Sequence, residues 1–303
     1  MPEIVQNVIS CVISLLVWMI TYYSGWYVFP KRIEKWNDRT EKEKYKLCSC
    51  LHSTLHGIVV PIGIFVVLMH CDIWNDFKAN SCSEIEIVFA WTISYFAFDF
   101  VLVLQYKAEF WQVFMVHHIV GIMPFLVNCF FSSNLHFLVG LGICVEIANP
   151  FLNAQTAIDL FGMHDTDTAK HVTYITIIIW LIFRITLPIY LLIGMAWISI
   201  PAYGLDPWGV IFSYITGFAI GLFCVAVLFV VHVPAFLYYY RNEHVKEREN
   251  VRELKDIEMS GNKIDKIAKT REPSEVESSS ASTERKNSHP LALRRRTSSF
   301  HTC

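Results

Sequence analysis

Long uncharged hydrophobic stretches alternate with short charged segments along most of this chain. Seven of these stretches are long enough to cross the hydrocarbon of a bilayer, which takes about 20 helical residues. They occupy residues 4–29, 45–69, 85–105, 111–131, 135–161, 173–197 and 208–238. The pattern predicts an all-α, polytopic membrane protein with about seven transmembrane helices.

Composition separates this membrane region from a polar tail. Hydrophobic residues make up 54% of the chain and charged residues only 17%. Much of the charge follows residue 241, in a segment rich in Ser and poor in the apolar residues that a folded core needs. We therefore expect a first transmembrane helix with a basic cytosolic loop (1–44), a membrane domain (45–240) and a disordered, charged tail (241–303).

The tail contains one candidate phosphorylation site, at Ser298. Arginines precede it in the segment Arg295-Arg296-Thr297-Ser298, a pattern typical of phosphorylation directed by basic residues. A phosphate there would weaken the attraction of the tail to anionic lipid. An unmodified, disordered end fits the composition equally well.

Lysine and arginine in the loops predict the orientation of the chain. The loop after the first span carries a dense group of them: Lys31, Arg32, Lys35, Arg39, Lys42 and Lys44. Loops rich in these residues stay in the cytosol. We therefore expect the N-terminus on the lumenal side and the tail in the cytosol, with only Lys78 on the lumenal side among the basic loop residues.

The nine cysteines show no paired CxxC spacing of the kind that holds zinc. Cys71 and Cys82 alone fall in the loop that the charge pattern places on the lumenal side. An oxidising compartment permits a disulfide between them. Two free thiols are the alternative, and the sequence leaves both open.

Ionisable side chains recur inside the apolar spans, where they are costly and usually functional. At 1.5 Å of rise per residue, Asp99 and His117 lie roughly 9 Å, and His52 roughly 10 Å, from the cytosolic ends of their helices. His118 follows His117 directly. Three helices thus present ionisable groups at one level, which predicts a shared site with His117, His118 and Asp99 as candidate catalytic residues.

A second polar layer is predicted nearer the midplane, from Glu146 and Arg184 on consecutive spans. Each charge would cost about 2.5–3.5 kcal/mol if it faced lipid, so we expect the two to face each other or a common cavity. Each is followed four residues later by proline, which removes the amide that would bond its carbonyl. Asn149 and Asn153 lie nearby on the same helix and are expected to supply hydrogen-bond donors.

Two interpretations of these residues stay open. Polar side chains between membrane helices often act only as structural contacts, worth about 0.6 kcal/mol each. This interpretation is favoured for Glu146 and Arg184 taken alone. Histidine is suited to proton transfer near neutral pH, so a functional site is favoured for His117, His118 and Asp99.

Other chemistries are disfavoured. Adjacent helical residues point about 100° apart, so His117 and His118 cannot easily bind one metal ion. His52 and His56 have the spacing of two metal ligands, but no Glu accompanies them in an HExxH pattern. The sequence has no P-loop, GxSxG or GxGxxG motif, and its basic clusters flank membrane spans, as expected for anionic lipid rather than nucleic acid. We expect no metal and no resident cofactor.

The sequence resembles the TLC family of membrane proteins, which includes the ceramide synthases. The resembling segments lie in spans two to six, in the family's order: Ser49-Cys-Leu-His52-Ser53, Tyr95-Phe-Ala-Phe-Asp99, Val116-His117-His118, Glu146-Ile-Ala-Asn-Pro-Phe-Leu-Asn153 and Phe183-Arg184-Ile-Thr-Leu-Pro188. They are spread over most of residues 45–240. The resemblance implies a barrel-like bundle of helices, residence in the endoplasmic reticulum or related membranes, and work on lipids.

The resemblance also bears on the kind of work. Ceramide synthases acylate sphingoid bases from acyl-CoA, with a motif that begins with a double histidine like His117 and His118. That motif continues to a downstream His-Asp pair and a further Asp. The corresponding stretch here, residues 139–153, offers Glu146 and no His-Asp pair, which argues against ceramide synthesis. Other members are regarded as sensors, chaperones or regulators of membrane lipid composition.

We therefore expect a protein of lipid homeostasis that binds or senses a lipid or acyl chain in an intramembrane cavity, which His52, Glu146, Asn149, Asn153 and Arg184 help to line. The alternative is an acyltransferase with acyl-CoA as co-substrate, in which His117 or His118 is the general base. A transporter is a minor alternative, since the spans show no inverted repeat. The expected partners are membrane lipids, and the sequence leaves a homodimer open.

Overall fold

Seven long apolar helices make up most of the part of the chain that the structure describes. The computed structural model describes residues 3–71, 82–130, 135–199 and 207–242, together with 245, 248–249 and 251–252. The helices are α1 (Glu3–Arg32), α2 (Glu41–His70), α3 (Ser83–Tyr106), α4 (Trp111–Phe130), α5 (His136–Leu160), α6 (Asp167–Trp197) and α7 (Val210–Asn242). All seven are long and apolar enough to cross a membrane, which confirms the predicted all-α, multi-pass class.

The tail lies almost wholly outside the described residues. Its described residues, 241–242, 245, 248–249 and 251–252, are helical, whereas the sequence predicts disorder from residue 241. Ser298, the disorder after residue 252 and the position of Lys78 stay predictions. Contacts divide the chain into two units, and the first unit runs up to Ala235. Every residue of the candidate site belongs to this first unit.

Six helices close a ring. Around it, α2 contacts α3, α3 contacts α4, α4 contacts α7, α7 contacts α6, α6 contacts α5, and α5 returns to α2. Helix α1 lies outside the ring, against α2 and α3, and its Trp18 and Tyr22 are fully buried there. This arrangement is the barrel that the resemblance predicts.

Two helices begin earlier than their hydrophobic stretches. Helix α2 starts at Glu41 and α6 at Asp167, whereas apolar residues predict starts at 45 and 173. Thr40 accepts a hydrogen bond from the Glu43 amide and forms a capping box, and Thr166 caps α6 through the Ala169 amide. Polar caps satisfy the first free amides of a helix, so these two helices extend past the apolar zone.

Two helices depart from α geometry next to a proline. Residues Ile143–Ala148 of α5 form a 3₁₀ turn before Pro150, and residues Leu181–Thr186 of α6 form a π turn before Pro188. Proline lacks the amide that would bond the carbonyl four residues earlier, so the regular ladder cannot continue there. The two irregular turns contact each other.

Helix α2 approaches the break in α5 through Gly57. A Cβ atom at this position would lie 2.6 Å from the backbone oxygen of Glu146 and 2.9 Å from the Pro150 ring. The oxygen is the one that Pro150 leaves without its helical partner. Glycine at residue 57 is therefore required for the close contact between α2 and α5.

A disulfide joins Cys71, directly after α2, to Cys82, directly before α3. Beside it, the amide of Cys82 donates a hydrogen bond to Nδ1 of His136 (3.3 Å), at the start of α5. The Asn7 side chain of α1 donates to the buried Glu86 of α3 at 2.7 Å. These contacts tie together the helix ends on this face, which lies opposite the basic loops.

Candidate functional site

Asp99 of α3 lies at the centre of the first polar layer. Its Oδ2 is 2.8 Å from Nε2 of His118 on α4, and its Oδ1 is 3.1 Å from Nε2 of His52 on α2. Ser49 Oγ donates a weaker hydrogen bond to Oδ1, at 3.4 Å. All three ionisable side chains are buried. The structure thus brings together the residues that their depth in three helices predicts as neighbours.

The two histidines beside Asp99 differ in their surroundings. His52 is fully buried among aromatic rings, with Tyr95 at 5.4 Å and Tyr22 at 5.7 Å between ring centroids. Its approach to Asp99 is close but lacks the alignment of a hydrogen bond. His118 lies closer to the carboxylate and lines the large cavity described below, whereas His52, contrary to the sequence prediction, does not line it. His118 is therefore the main partner of Asp99.

His117 points away from this pair, as its position about 100° around the helix requires. Its ring stacks on Phe223 of α7, with centroids 4.7 Å apart and planes 22° apart. The side chain is only partly buried and lines the cavity. Adjacent histidines therefore play separate parts: one pairs with a carboxylate and the other faces the cavity.

Glu146, Asn149 and Arg184 form the second polar layer. Nη2 of Arg184 lies 3.4 Å from the Glu146 carboxylate and donates to the side-chain oxygen Oδ1 of Asn149 at 2.6 Å. The side-chain Nδ2 of Asn149 donates to the other carboxylate oxygen of Glu146 at 2.5 Å. The guanidinium also lies 5.3 Å from the ring of Trp180. The two charges therefore face each other inside the barrel, where each offsets the cost of burying the other.

His56 links the two layers, a role that its sequence position did not reveal. Its ring stacks on Tyr95 with centroids 3.7 Å apart, and its Nδ1 lies 3.8 Å from the Glu146 carboxylate. His52, one turn away on the same face of α2, contacts the same tyrosine. The i, i+4 spacing of the two histidines was the available signal, but it indicated only a metal pair.

Asn153 does not join the second layer, contrary to the sequence prediction. Its side-chain amide donates to the backbone carbonyl oxygen of Cys50 at 3.2 Å and to Thr54 Oγ1 at 2.9 Å. Seven residues of helix separate it from Glu146, a rise of about 10 Å, which is too far for a side-chain hydrogen bond. Asn153 instead joins α5 to α2, although it still lines the cavity.

The barrel encloses a cavity of about 390 Å³. Residues of both polar layers line it: Asp99, His117, His118, Glu146, Asn149 and Arg184. Its lining also reaches the basic face of the membrane region, where Lys46 pairs with Glu109 at 3.4 Å. This volume falls in the range of sites for small molecules.

A second cavity, of about 80 Å³, lies on the other side of the polar layers. His117, Glu146 and Phe96 line both cavities and so form the boundary between them. Most of its other lining is apolar and includes Leu138, Leu191 and Met195. The large cavity with its polar groups is thus adjacent to a smaller, mainly apolar cavity. This arrangement suits a molecule with a polar end and an apolar tail.

Among the described residues, one group has side chains close enough to hold a metal ion: Cys71, Cys82 and Glu84, whose ligand atoms lie within 4.8 Å of one another. Metal binding by cysteine needs thiolates. Both sulfur atoms are engaged in the disulfide, so this group does not supply them.

A family model for the TLC domain matches residues 46–240, well over half of the chain. The chain belongs to the TLC domain family. No curated protein matches the chain closely enough to count as a relative. Every residue of both polar layers falls inside the matched range, so the candidate site is part of the TLC domain, while α1 precedes it.

Proposed function

We propose that this TLC-domain protein binds a membrane lipid or its acyl chain inside the barrel and acts in membrane lipid homeostasis, as a sensor or handler of lipid. One observation carries the proposal: a cavity of about 390 Å³, lined by buried ionisable groups, adjoins a smaller apolar cavity of about 80 Å³. The polar layers would hold the head of the lipid and the apolar cavity the start of its tail.

Location and orientation belong to the same proposal. The basic loops support a cytosolic position for the cavity mouth near Lys46 and Glu109, and a lumenal position for the Cys71–Cys82 disulfide. Family resemblance supports the endoplasmic reticulum. Within the family, we propose that the chain stands nearest to the type of TLC domain-containing protein 4 rather than to the synthases.

A second candidate, an acyltransferase, is favoured by the contact between His118 and Asp99 beside a cavity that His117 also lines. In that reaction a histidine would take the proton of an amine or hydroxyl group. The nitrogen or oxygen would then bond to the thioester carbonyl carbon of acyl-CoA as the C–S bond breaks, and the proton would pass to the leaving sulfur. Asp99 would orient the imidazole.

Mass spectrometry of the purified protein distinguishes the two. The chain is purified in mild detergent as wild type and as His117→Ala, His118→Ala and His171→Ala, the last being an exposed histidine outside the cavity. A co-purifying intact lipid, reduced in the first two variants and unchanged in the third, supports lipid binding. A covalent acyl adduct, or release of CoA, that is lost in the first two variants establishes the enzyme. If no lipid or adduct accompanies any form, the lipid-binding proposal is wrong.

A further inference from the structure

The cavity has an opening on the side of the barrel, between α4 and α7. Helix α4 packs closely on the helical residues Pro207–Val227, which include the first half of α7, and far less on the π turn Leu228–His232 that follows. Because α4 begins at the basic face and α7 runs towards that face, the two helices are close in the opposite half of the membrane region and separate towards the basic face.

Exposed side chains mark the opening. Val113 of α4 is 46% exposed and Val230 of α7 is 62% exposed, and both line the large cavity. Ala226, one turn deeper than Val230, is also exposed and lines the cavity. Side chains that are largely exposed and also line the cavity indicate that the cavity opens to the exterior at this point. The opening therefore extends from the level of Val113 into the membrane region.

The apolar side chains around the opening favour a hydrocarbon chain over a polar molecule. The side chains that border it within the membrane region are apolar: Val113, Phe114, Ala226, Val227 and Val230. The charged pair at the mouth, Lys46 and Glu109, lies on α2 and in the loop before α4. A bilayer supplies one kind of molecule at this depth, the acyl or alkyl chain of a lipid.

The His117–Phe223 stack lies at the inner end of the opening. It joins the two helices that flank the opening, and its histidine also lines the apolar cavity beyond. Because His117 lines both cavities, a hydrocarbon chain that moves from the opening to the apolar cavity passes this stack.

We propose that a lipid chain enters the barrel sideways from the bilayer, through the opening between α4 and α7, and that the His117–Phe223 stack is its gate. This inference rests on the proposed lipid binding. It adds a route and a source: the ligand is a lipid of the leaflet next to the basic face, and Phe223 controls its access to His117.

The test measures how fast a bilayer lipid reaches the cavity. The full chain is reconstituted into phosphatidylcholine vesicles, and a phosphatidylcholine with a diazirine in one acyl chain is transferred in from donor vesicles. After light exposure at successive times, mass spectrometry with peptide fragmentation measures the label on the buried, cavity-lining residues His118 and Asn149, because exposed residues of α4 such as Val113 also react from the bilayer. Ala226→Trp should slow labelling at least five-fold, because indole fills the opening, whereas Val225→Trp should label at the wild-type rate. Val225 is exposed on the same helix but does not line the cavity.

The variant Phe223→Ala provides the second measurement. Removal of the ring opens the gate, so labelling should become faster than in the wild type. Should Ala226→Trp fail to fold, Ala226→Cys treated with a bulky apolar maleimide replaces it, with equally treated wild type as control. Wild-type rates in the blocked protein would overturn the side entrance while leaving lipid binding intact. Absence of cavity labelling in the wild type would instead contradict the proposed function.

Discussion

Nε2 of His118 lies 2.8 Å from Oδ2 of Asp99, with both side chains buried inside a membrane-spanning barrel. A carboxylate in this position is costly unless a donor or a cation faces it. His118 is the closest such group, and Ser49 and His52 approach the other oxygen. The polar layer is therefore a connected set, in which the loss of one member leaves the others unsatisfied.

Asp99→Asn should destabilise the protein and weaken lipid binding. The amide keeps the shape of the side chain but cannot pair with both imidazoles, and disruption of a buried pair typically costs about 3–5 kcal/mol. Thermal unfolding in detergent measures the effect. Ser49→Ala is the matched control, because it removes a hydrogen bond of 3.4 Å to the same carboxylate and should lower Tm far less. Equal losses in the two variants would contradict the central position of Asp99.

Gly57→Ala should strongly destabilise the fold. The new methyl group would meet the Glu146 carbonyl oxygen at 2.6 Å, and backbone on both sides must then move. Gly63→Ala on the same helix is the control, since its Cβ would meet its nearest neighbour at 3.8 Å. There the better helix propensity of alanine should add up to about 1 kcal/mol. A Gly57→Ala protein as stable as the wild type would show that α2 and α5 are not in this contact.

Glu146→Gln and Arg184→Gln should each lower Tm, and together they should cost less than the sum of the two. Each single change leaves one buried charge without its counter-charge, whereas the double variant removes both. The cycle is measured by thermal unfolding in detergent. Strict additivity would mean that the 3.4 Å approach contributes no coupling to stability.

Cys71→Ser should destabilise the protein under oxidising conditions by about 2–4 kcal/mol, the usual contribution of a disulfide that closes a short loop. The two cysteines are separated by 11 positions in the sequence. Peptide mapping without reductant identifies the bridge, and unfolding with and without reductant measures its effect. Cys11→Ser is the control, because Cys11 is a free thiol in the structure. Reductant should lower the stability of this control but not that of Cys71→Ser.

The hydrophobicity of successive residues was sufficient to predict the helices, because each span must form all of its backbone hydrogen bonds within itself in the bilayer. Depth along each helix was also sufficient to bring His52, Asp99 and His118 to one level. The depth of a residue in the membrane does not indicate which helices are neighbours around the barrel. The proximity of α4 to α7, and with it the contact of His117 with Phe223, therefore escaped prediction.

Local sequence spacing was misleading in α5. Asn153 lies on nearly the same helical face as Glu146, yet its separation along the axis takes it to Cys50 and Thr54 of α2. Asn149, one turn from Glu146, is the residue that joins the charged pair. The orientation of the chain rests on loop charge alone and stays a prediction.

The irregular turns before Pro150 and Pro188 have a consequence for how the site can change. The 3₁₀ turn in α5 is wound more tightly than an α-helix and the π turn in α6 more loosely, and Glu146 and Arg184 sit within them. The direction in which each charge points is thus set by backbone winding as well as by side-chain choice. Replacement of either proline by alanine would permit regular winding and rotate a charge out of line, with every ionisable group still present. In this protein the composition of the site and its geometry can therefore be altered independently.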